Sequence, residues 1–262
     1  MPGLFQNKVA LITGGGGNIG RATALAYARE GARVAIADIE GGETTVEKIQ
    51  SAGGEAFYVK TDISKANEVE ALIRAIVDRF GRPDFAFNNA GIRGKWAPSA
   101  EIHEEEWDRI IQTNLKGVWL SMKYEIPEIS KRGGTIVNMA SVLGLSGFAK
   151  LAPYSASKHG IVALTKTAAL EYAEKGIRIN AVCPGYIDTN LLGGNVKDTR
   201  GWIKKFKKEM LYALLKKLEP AGRFGKPDEI ANAVIWLSSP VSSPITGQAL
   251  VIDGGHLAGR TL

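Results

Sequence analysis

The sequence of 262 residues predicts an α/β fold: a single doubly wound domain with a parallel sheet of about seven strands and helices on both faces. Short apolar runs alternate with longer amphipathic stretches, as expected for successive βαβ units. The strand candidates are continuous apolar runs, which is the pattern of strands buried on both faces. No Pro- or Ser-rich linker and no fixed repeat interrupts this order, so we expect one domain over residues 1–262.

The first strand–helix–strand unit has the clearest boundaries. The β-branched run Val9–Ile12 predicts a strand that leads into Gly14–Gly17, and Ile19–Glu30 has the apolar spacing of a helix. A second β-branched run, Val34–Ala37, ends at Asp38. The same criteria predict, in order, helix Thr44–Ser51, strand Ala56–Val59, helix Val69–Phe80, strand Phe85–Phe87, helix Trp107–Tyr124, strand Thr135–Met139, helix Tyr154–Ala173, strand Ile177–Val182, helix Ile230–Leu237 and strand Ala249–Ile252.

Composition excludes several classes of protein. Apolar residues make up 45% of the chain and charged residues 23%, which excludes a disordered, collagen-like or coiled-coil chain. The single cysteine, Cys183, excludes an intrachain disulfide and fits a reducing compartment. No apolar run reaches the ~18 residues that span a bilayer, and the first residues lack a signal-peptide pattern. We therefore expect a cytoplasmic protein without stable membrane insertion.

The net charge of +6 is unevenly distributed. Eight basic and two acidic residues fall between Lys197 and Lys217, which leaves the rest of the chain with 25 bases and 25 acids. A basic chain would normally suggest a nucleic-acid or membrane partner. Here the excess belongs to one segment without a recognition motif, so we expect no nucleic-acid partner.

A glycine-rich turn, Thr13–Gly20, joins the first strand to the first helix. Backbone N–H groups at a helix N-terminus bind phosphate, and glycine allows the close approach that a pyrophosphate needs. Such a turn alone is a weak signal, and an ordinary βα turn is the alternative, but its place in the first unit favours a dinucleotide site. The candidate cofactor residues of this turn are Gly14, Asn18, Ile19 and Gly20.

Asp38 ends the second predicted strand, 18 residues after Gly20. In a dinucleotide-binding fold, a carboxylate at this point accepts hydrogen bonds from the adenosine ribose hydroxyls and repels a 2′-phosphate. No Lys or Arg occurs from Gly14 to Gly20, and we expect Arg21 and Arg33 to face solvent. The sequence therefore predicts NAD rather than NADP, with helix capping as the alternative role of the carboxylate.

Tyr154 and Lys158 are four residues apart, on one face of a predicted helix. A phenol has a pKa near ~10, and a neighbouring ammonium favours the phenolate, which suits proton transfer with an alcohol or ketone. Tyr212 and Lys216 have the same spacing but lie in the basic segment, next to no predicted strand end. Ser141 ends a predicted strand 13 residues before Tyr154 and is a candidate donor to the same reacting oxygen.

Together these features resemble the short-chain dehydrogenase/reductase family over about residues 6–255. The resemblance implies a Rossmann fold and a homotetramer assembled through helices Trp107–Tyr124 and Tyr154–Ala173. One departure is Asn18, which stands where the family usually has Gly; Asn tolerates left-handed backbone better than most residues. The matching motifs are the Thr13–Gly20 turn, Asp62, Asn88–Gly91, Asn114, Ser141, Tyr154, Lys158 and Pro184-Gly185.

The resemblance also implies roles for individual residues. Tyr154 would be the general acid/base, and Lys158 would lower its pKa and bind the nicotinamide ribose. Ser141 would orient the substrate oxygen. Asn114 would hold a water that relays protons, although a buried polar residue that fixes a helix is the alternative. Cofactor contacts are further expected from Ile39, Asp62, Ile63, Asn89, Ala90, Gly91, Pro184, Gly185, Ile187 and Thr189.

The predicted activity is hydride transfer between NAD and a secondary alcohol or its ketone. The stretches Gly91–Pro98 and Asp188–Leu192 are similar to those of family members that oxidise cyclic alcohols. A 3-oxoacyl (carrier protein or CoA) reductase or hydroxyacyl-CoA dehydrogenase stays open, because it shares the motifs. A non-catalytic NAD-binding regulator is the alternative from another class, but such a protein would lack one of the four catalytic candidates. No His, Cys and Asp cluster has metal-ligand spacing, so no metal is expected.

The variable segment 190–222 occupies the position of the family's substrate lid. Between Trp202 and Leu218 apolar residues recur at helical spacing with lysines mostly between them. Three interpretations stay open for this basic face: a solvated surface, attraction of an anionic substrate, or association with a membrane surface. Arg93, Lys95 and Trp96 follow the Asn-Asn-Ala-Gly motif and either border the substrate or form an exposed loop.

Overall fold

Seven strands form one sheet in the structure, a computed structural model that describes residues 3–189 and 219–259. They are β1 (Val9–Thr13), β2 (Arg33–Asp38), β3 (Ala56–Lys60), β4 (Phe85–Asn88), β5 (Gly134–Met139), β6 (Ile177–Pro184) and β7 (Ala249–Ile252). Their order is β3-β2-β1-β4-β5-β6-β7, and every neighbouring pair is parallel. The predicted parallel sheet is confirmed.

The helices of the described residues cover both faces of this sheet. They are α1 (Asn18–Arg29), α2 (Gly42–Ser51), α3 (Ala66–Phe80), α4 (Glu104–Ile110), α5 (Gly117–Ile129), α6 (Ala152–Tyr172) and α7 (Pro227–Ser238). Alternate residues of β1 point to opposite faces: Val9 and Leu11 belong to the core under α3, α5 and α6, whereas Ala10 and Ile12 belong to the core under α1, α2 and α7. Strands buried on both faces explain the continuous apolar runs of the sequence.

The helix predicted over Trp107–Tyr124 is longer and less regular than expected. Helical structure runs from Glu104 to Ile129, with a π-helical segment, Ile111–Lys116, between α4 and α5. Apolar periodicity reports which face is buried, but it does not report which carbonyl each N–H bonds. The π-helical segment was therefore not predictable from spacing.

Part of the predicted architecture lies outside the described residues. Residues 197–217, which carry the excess positive charge, are among these, as are Tyr212 and Lys216 and all of the lid position except 219–222. Within 3–189 and 219–259, no helix is long and apolar enough to cross a membrane.

Candidate active site

A cleft with a volume of about 500 Å³ lies at the carboxyl ends of the strands. It spans the point where β1 is flanked by β2 on one side and β4 on the other. The chain connections on the two sides of this point therefore run in opposite directions along the sheet. Open parallel sheets bind ligands at this kind of switch point, and ligand pockets typically have volumes of about 300–1,000 Å³. The cleft is therefore the candidate site of both cofactor and substrate.

The glycine-rich turn forms one end of the cleft and leaves no room for a side chain at Gly14, Gly15, Gly16 or Gly20. Gly14 has a φ of +66°. A Cβ added at Gly20 would lie 2.1 Å from the Gly14 carbonyl oxygen, so close packing of helix on turn requires glycine there. Asn18 begins α1, without the left-handed backbone that was considered for it. The free N–H groups of this helix start face the cleft, which fits a pyrophosphate group.

Asp38, at the end of β2, hydrogen-bonds the glycine-rich turn. Its Oδ2 accepts from the Gly16 N–H at 2.9 Å and its Oδ1 from the Ile39 N–H at 2.7 Å. Arg21 does not face solvent as expected: its Nη2 donates to the Gly16 carbonyl at 2.5 Å and its Nε to Thr45 Oγ1 at 3.1 Å. Both partners are uncharged, so Arg21 keeps its positive charge, and its hydrogen bonds hold the guanidinium against the turn.

Thr13 and Asn89 join the turn to the end of β4. Asn89 Nδ2 donates to the carbonyls of Thr13 and Gly14, at 3.1 Å each. In return, Thr13 Oγ1 accepts from the N–H groups of Asn89 at 3.0 Å and Ala90 at 3.2 Å. Thr13 was not singled out as a site residue; a hydroxyl at the carboxyl end of a buried apolar strand was the available signal.

Ser141, Tyr154 and Lys158 come together beyond this junction. Ser141 follows β5, whereas Tyr154 and Lys158 lie on the first turns of α6, and all three line the cleft. Lys158 Nζ lies 5.5 Å from the centre of the Tyr154 ring and donates to the Met139 carbonyl at 2.7 Å. The predicted trio therefore surrounds one point of the cleft where a hydroxyl group can be bound.

Burial controls the protonation of this trio. It raises the pKa of Tyr154, while hydrogen bonding with Ser141 and the positive charge of Arg93 act in the opposite direction. Burial also lowers the pKa of Lys158 to about 8. On balance the pKa of the Tyr154 phenol is raised in this structure, in which Lys158 Nζ is directed at the Met139 carbonyl.

Asn114 lies within the π-helical segment and is fully buried. Its Oδ1 accepts from Ile92 N at 2.8 Å, and its Nδ2 donates to Ile92 O at 2.8 Å and to Ser157 Oγ at 3.2 Å. π-Helical turns are often found at functional sites, because the extra residue re-aims a side chain.

The cleft collects most of the predicted site residues and several that were not predicted. Gly20 packs beneath the turn and Asn114 lies behind Ile92, so neither lines the cleft wall. Arg93 and Trp96 line it, which favours the substrate-bordering interpretation for these two, whereas Lys95 is exposed and does not line it. Tyr186 and His256 also line it and were missed. The predicted residues that line the cleft are Gly14, Asn18, Ile19, Asp38, Ile39, Asp62, Ile63, Asn89, Ala90, Gly91, Ser141, Tyr154, Lys158, Pro184, Gly185, Ile187 and Thr189.

Comparison with known proteins adds a family and several relatives. The family described as enoyl-(acyl carrier protein) reductase matches residues 16–256. Cyclohexanol dehydrogenase of Acinetobacter sp. (strain SE19) is 43% identical over 259 residues, covering 98% of this chain and 97% of the relative. Cis-4-hydroxycyclohexanecarboxylate dehydrogenase of Sinomonas cyclohexanicum is 39% identical over 256 residues, covering 97% of this chain and 98% of the relative.

A solved structure resembles the whole described fold. The crystal structure of levodione reductase superposes with a TM-score of 0.90 at 36% sequence identity, covering 98% of this chain and 100% of the other. The described fold therefore has a close counterpart in an oxidoreductase of known structure.

Proposed function

Because the chain belongs to the short-chain dehydrogenase/reductase family, we propose that it is an NAD-dependent dehydrogenase that interconverts cyclic secondary alcohols and ketones. The observation that carries this proposal is the meeting of Ser141, Tyr154 and Lys158 in the same cleft as the glycine-rich turn. A ring alcohol as substrate is supported by relatives named for cyclohexanol and for a hydroxycyclohexanecarboxylate.

Tyr154 is the proposed acid and base of the reaction. In alcohol oxidation its phenolate oxygen takes the proton of the substrate hydroxyl, and in ketone reduction its hydroxyl returns that proton to the carbonyl oxygen. Ser141 positions the substrate oxygen by a hydrogen bond. Its own Oγ accepts from the Leu143 N–H at 3.1 Å, which orients the hydroxyl toward the cleft.

Lys158 and Asn114 support this proton transfer. The Lys158 ammonium is buried and held by the Met139 carbonyl, so its charge stays close to the phenol. Asn114 fixes the main chain of Ile92 and contacts Ser157, one turn from Tyr154. In this proposal Lys158 stabilises the phenolate, and Asn114 keeps the loop and helix in register for the proton relay.

The proposed cofactor is NAD. A nicotinamide cofactor accepts or donates the hydride when bound. The main-chain N–H groups of the glycine-rich turn would bind its pyrophosphate. Asp38 would bind the adenosine ribose, and Lys158 would bind the nicotinamide ribose. Asp38, at the end of β2, favours NAD over NADP because its carboxylate repels a 2′-phosphate.

A homotetramer is the proposed assembly, through helices α5 and α6. Two large apolar side chains of these helices are exposed in the monomer: Leu170 is 84% exposed and Trp119 is 44% exposed. Burying such side chains against another copy removes apolar area from water.

Oxidation by the purified protein tests this function. We expect NADH formation with NAD⁺ and cyclohexanol or 4-hydroxycyclohexanecarboxylate, and a lower rate with NADP⁺. A screen that also includes 3-hydroxyacyl-CoA separates the ring-alcohol activity from a hydroxyacyl dehydrogenase. If only the hydroxyacyl-CoA is oxidised, a hydroxyacyl dehydrogenase replaces the proposed activity. If the cofactor binds but no alcohol is oxidised, the result favours a regulator.

A further inference from the structure

Arg93 is a cation of the cleft for which the described residues supply no partner. It lies two residues beyond Gly91, lines the cleft and is half-buried. Its Nε is buried and has no hydrogen-bond partner, and no ion pair is formed with it by the residues described. Its nearest ring contact is with Trp96, whose centre lies 5.6 Å from the Arg93 Cζ.

A guanidinium nitrogen that is buried without an acceptor is unfavourable unless a ligand completes it. Buried charged groups are normally paired, because removing them from water is costly. A buried donor without an acceptor also loses the hydrogen bond that it would make with water. The pKa of Arg93 is lowered by this burial and raised in part by the proximity of Tyr154. Arginine nevertheless stays charged. Among the residues that the structure describes, the cleft therefore presents a positive charge without an ion-pair partner beside the proposed catalytic tyrosine.

The other cation of the predicted catalytic trio is already engaged. Lys158 donates to the Met139 carbonyl, whereas Arg93 has its planar fork of donors available. A guanidinium matches a carboxylate bidentately, which a single ammonium does not. The chemistry of this position thus favours a planar anion over a neutral hydroxyl.

An apolar wall adjoins the guanidinium. Trp96 and Phe148 meet edge to face, with ring centres 5.6 Å apart, and both line the cleft together with Leu151. An aliphatic ring packs well against such a wall, and the Arg93 guanidinium, 5.6 Å from the centre of the Trp96 ring, marks its polar boundary. The wall and the charge together describe a ligand with an apolar ring and one anionic group.

We propose that Arg93 binds a carboxylate on the alicyclic substrate, so that the enzyme acts preferentially on hydroxycycloalkane carboxylates. This inference rests on the proposed function and names the substrate class of that same site. Arg93 is a specificity residue in this scheme: it binds the end of the ring substrate away from the reacting hydroxyl, which Ser141 and Tyr154 receive.

A matched pair of substrates tests the proposal. 4-Hydroxycyclohexanecarboxylate and the neutral, nearly isosteric 4-hydroxycyclohexanecarboxamide are compared in the wild type, Arg93→Met and Arg93→Lys. We expect Arg93→Met to lower the ratio of kcat/KM for acid over amide by roughly 10–100-fold, mainly through KM, because a charge-assisted hydrogen bond is lost. Arg93→Lys keeps the charge without the planar fork of donors, so its ratio should lie between those of the wild type and Arg93→Met. Lys95→Met removes an exposed charge two residues away and should keep the wild-type ratio.

Three outcomes would overturn the proposal. An unchanged ratio in Arg93→Met would show that the guanidinium does not recognise the acid. An equal loss of kcat for acid and amide, with the pH profile of kcat displaced upward, would mean that Arg93 acts on the pKa of Tyr154 instead. If the wild type oxidises cyclohexanol but neither of these compounds, the inference on Arg93 fails and the proposed function stands. If it oxidises none of the three, the proposed function fails. Arg93 is then tested by calorimetric binding of cyclohexanecarboxylate to the NAD⁺-loaded protein, which the proposal expects to weaken in Arg93→Met.

Discussion

Asn114 hydrogen-bonds both main-chain polar groups of Ile92, with its Oδ1 and Nδ2 each 2.8 Å from their partners. The same Nδ2 contacts Ser157 Oγ at 3.2 Å, and that hydroxyl in turn donates to the Tyr154 carbonyl at 2.7 Å. One carboxamide therefore links the loop that carries Arg93 to the helix that carries Tyr154. The relative position of the proposed substrate-binding and catalytic residues depends on it.

Asn114→Ala should reduce both activity and stability. The substitution leaves the N–H and carbonyl of Ile92 without their partners, which costs about 1–3 kcal/mol in the folded state. We expect a lower Tm and a reduced kcat with cyclohexanol. Gln112→Ala is the matched control, because Gln112 lies in the same π-helical segment but is exposed. Wild-type kcat in Asn114→Ala would mean that this link is dispensable.

Tyr154→Phe should abolish turnover while the cofactor still binds. Removing the hydroxyl removes the proposed proton acceptor, and such groups typically contribute about 10²–10⁴-fold to the rate. Steady-state NADH formation measures the loss, and quenching of protein fluorescence measures cofactor binding. Tyr212→Phe, which has the same spacing to a lysine, should retain activity. The reverse pattern would overturn the assignment of the acid and base.

Asp38→Asn should shift the cofactor preference toward NADP⁺. The neutral amide no longer repels a 2′-phosphate, so the ratio of kcat/KM for NADP⁺ over NAD⁺ should rise by about tenfold or more. Glu55→Gln removes an exposed carboxylate just before β3 and should leave this ratio unchanged. A wild type that already prefers NADP⁺ would contradict the proposed role of the acid.

Glu125→Gln should stabilise the protein at neutral and alkaline pH. Burial raises the pKa of Glu125 from its ordinary value to about 7, against the effect of the hydrogen bond from Asn88. The folded protein therefore keeps a proton that the unfolded chain releases near pH ~4.5, and folded stability falls as the pH rises from there to about 7. The fall is about 3 kcal/mol by linkage, since one pKa unit is about 1.4 kcal/mol.

Urea unfolding at about pH 5 and about pH 8 measures this effect. The free energy of unfolding should drop between these values in the wild type and drop less in Glu125→Gln. Glu47→Gln, an exposed glutamate on α2, provides the control and should follow the wild type. Parallel curves for all three proteins would show that the Glu125 carboxyl does not titrate on folding.

Leu170→Glu should weaken the proposed tetramer. Leu170 is the most exposed large apolar side chain among the described residues, and a charge there opposes burial against a second copy. Sedimentation velocity should show smaller species in Leu170→Glu than in the wild type. Val241 is also exposed, at 77%, but lies outside α5 and α6. Val241→Glu is therefore the control that distinguishes this interface from any other apolar surface.

Much of the fold was predictable because the β-branched runs and the turn residues indicate the same strand boundaries. The strand Ala249–Ile252 has the predicted bounds, and Val9–Ile12 gained one residue at its end. Burial on both faces gives each central strand an apolar signature that neighbouring helices do not share. The break between α4 and α5 had no such signature, since a π turn changes hydrogen bonding without changing residue type.

The candidate site was predictable where one motif provides both position and chemistry, as at Tyr154 and Asp38. Tyr186, His256 and Thr13 were missed for a different reason. Tyr186 and His256 reach the cleft from separate strand ends, 70 residues apart in sequence, and only the register of β6 with β7 brings them together. Their rings meet edge to face at 5.7 Å. Arg21 was misjudged because its partners are the Gly16 carbonyl and a side chain of another helix, which spacing does not reveal.

The hydrogen bond from the Gly16 N–H to Asp38 has a consequence for the cost of binding a cofactor. Together with the Ile39 N–H it holds the carboxylate in place, and each oxygen keeps a lone pair for a ribose hydroxyl. A side chain that is fixed before its ligand arrives loses less conformational entropy on binding. In the proposed complex, the acid therefore contacts the ribose without first having to be ordered.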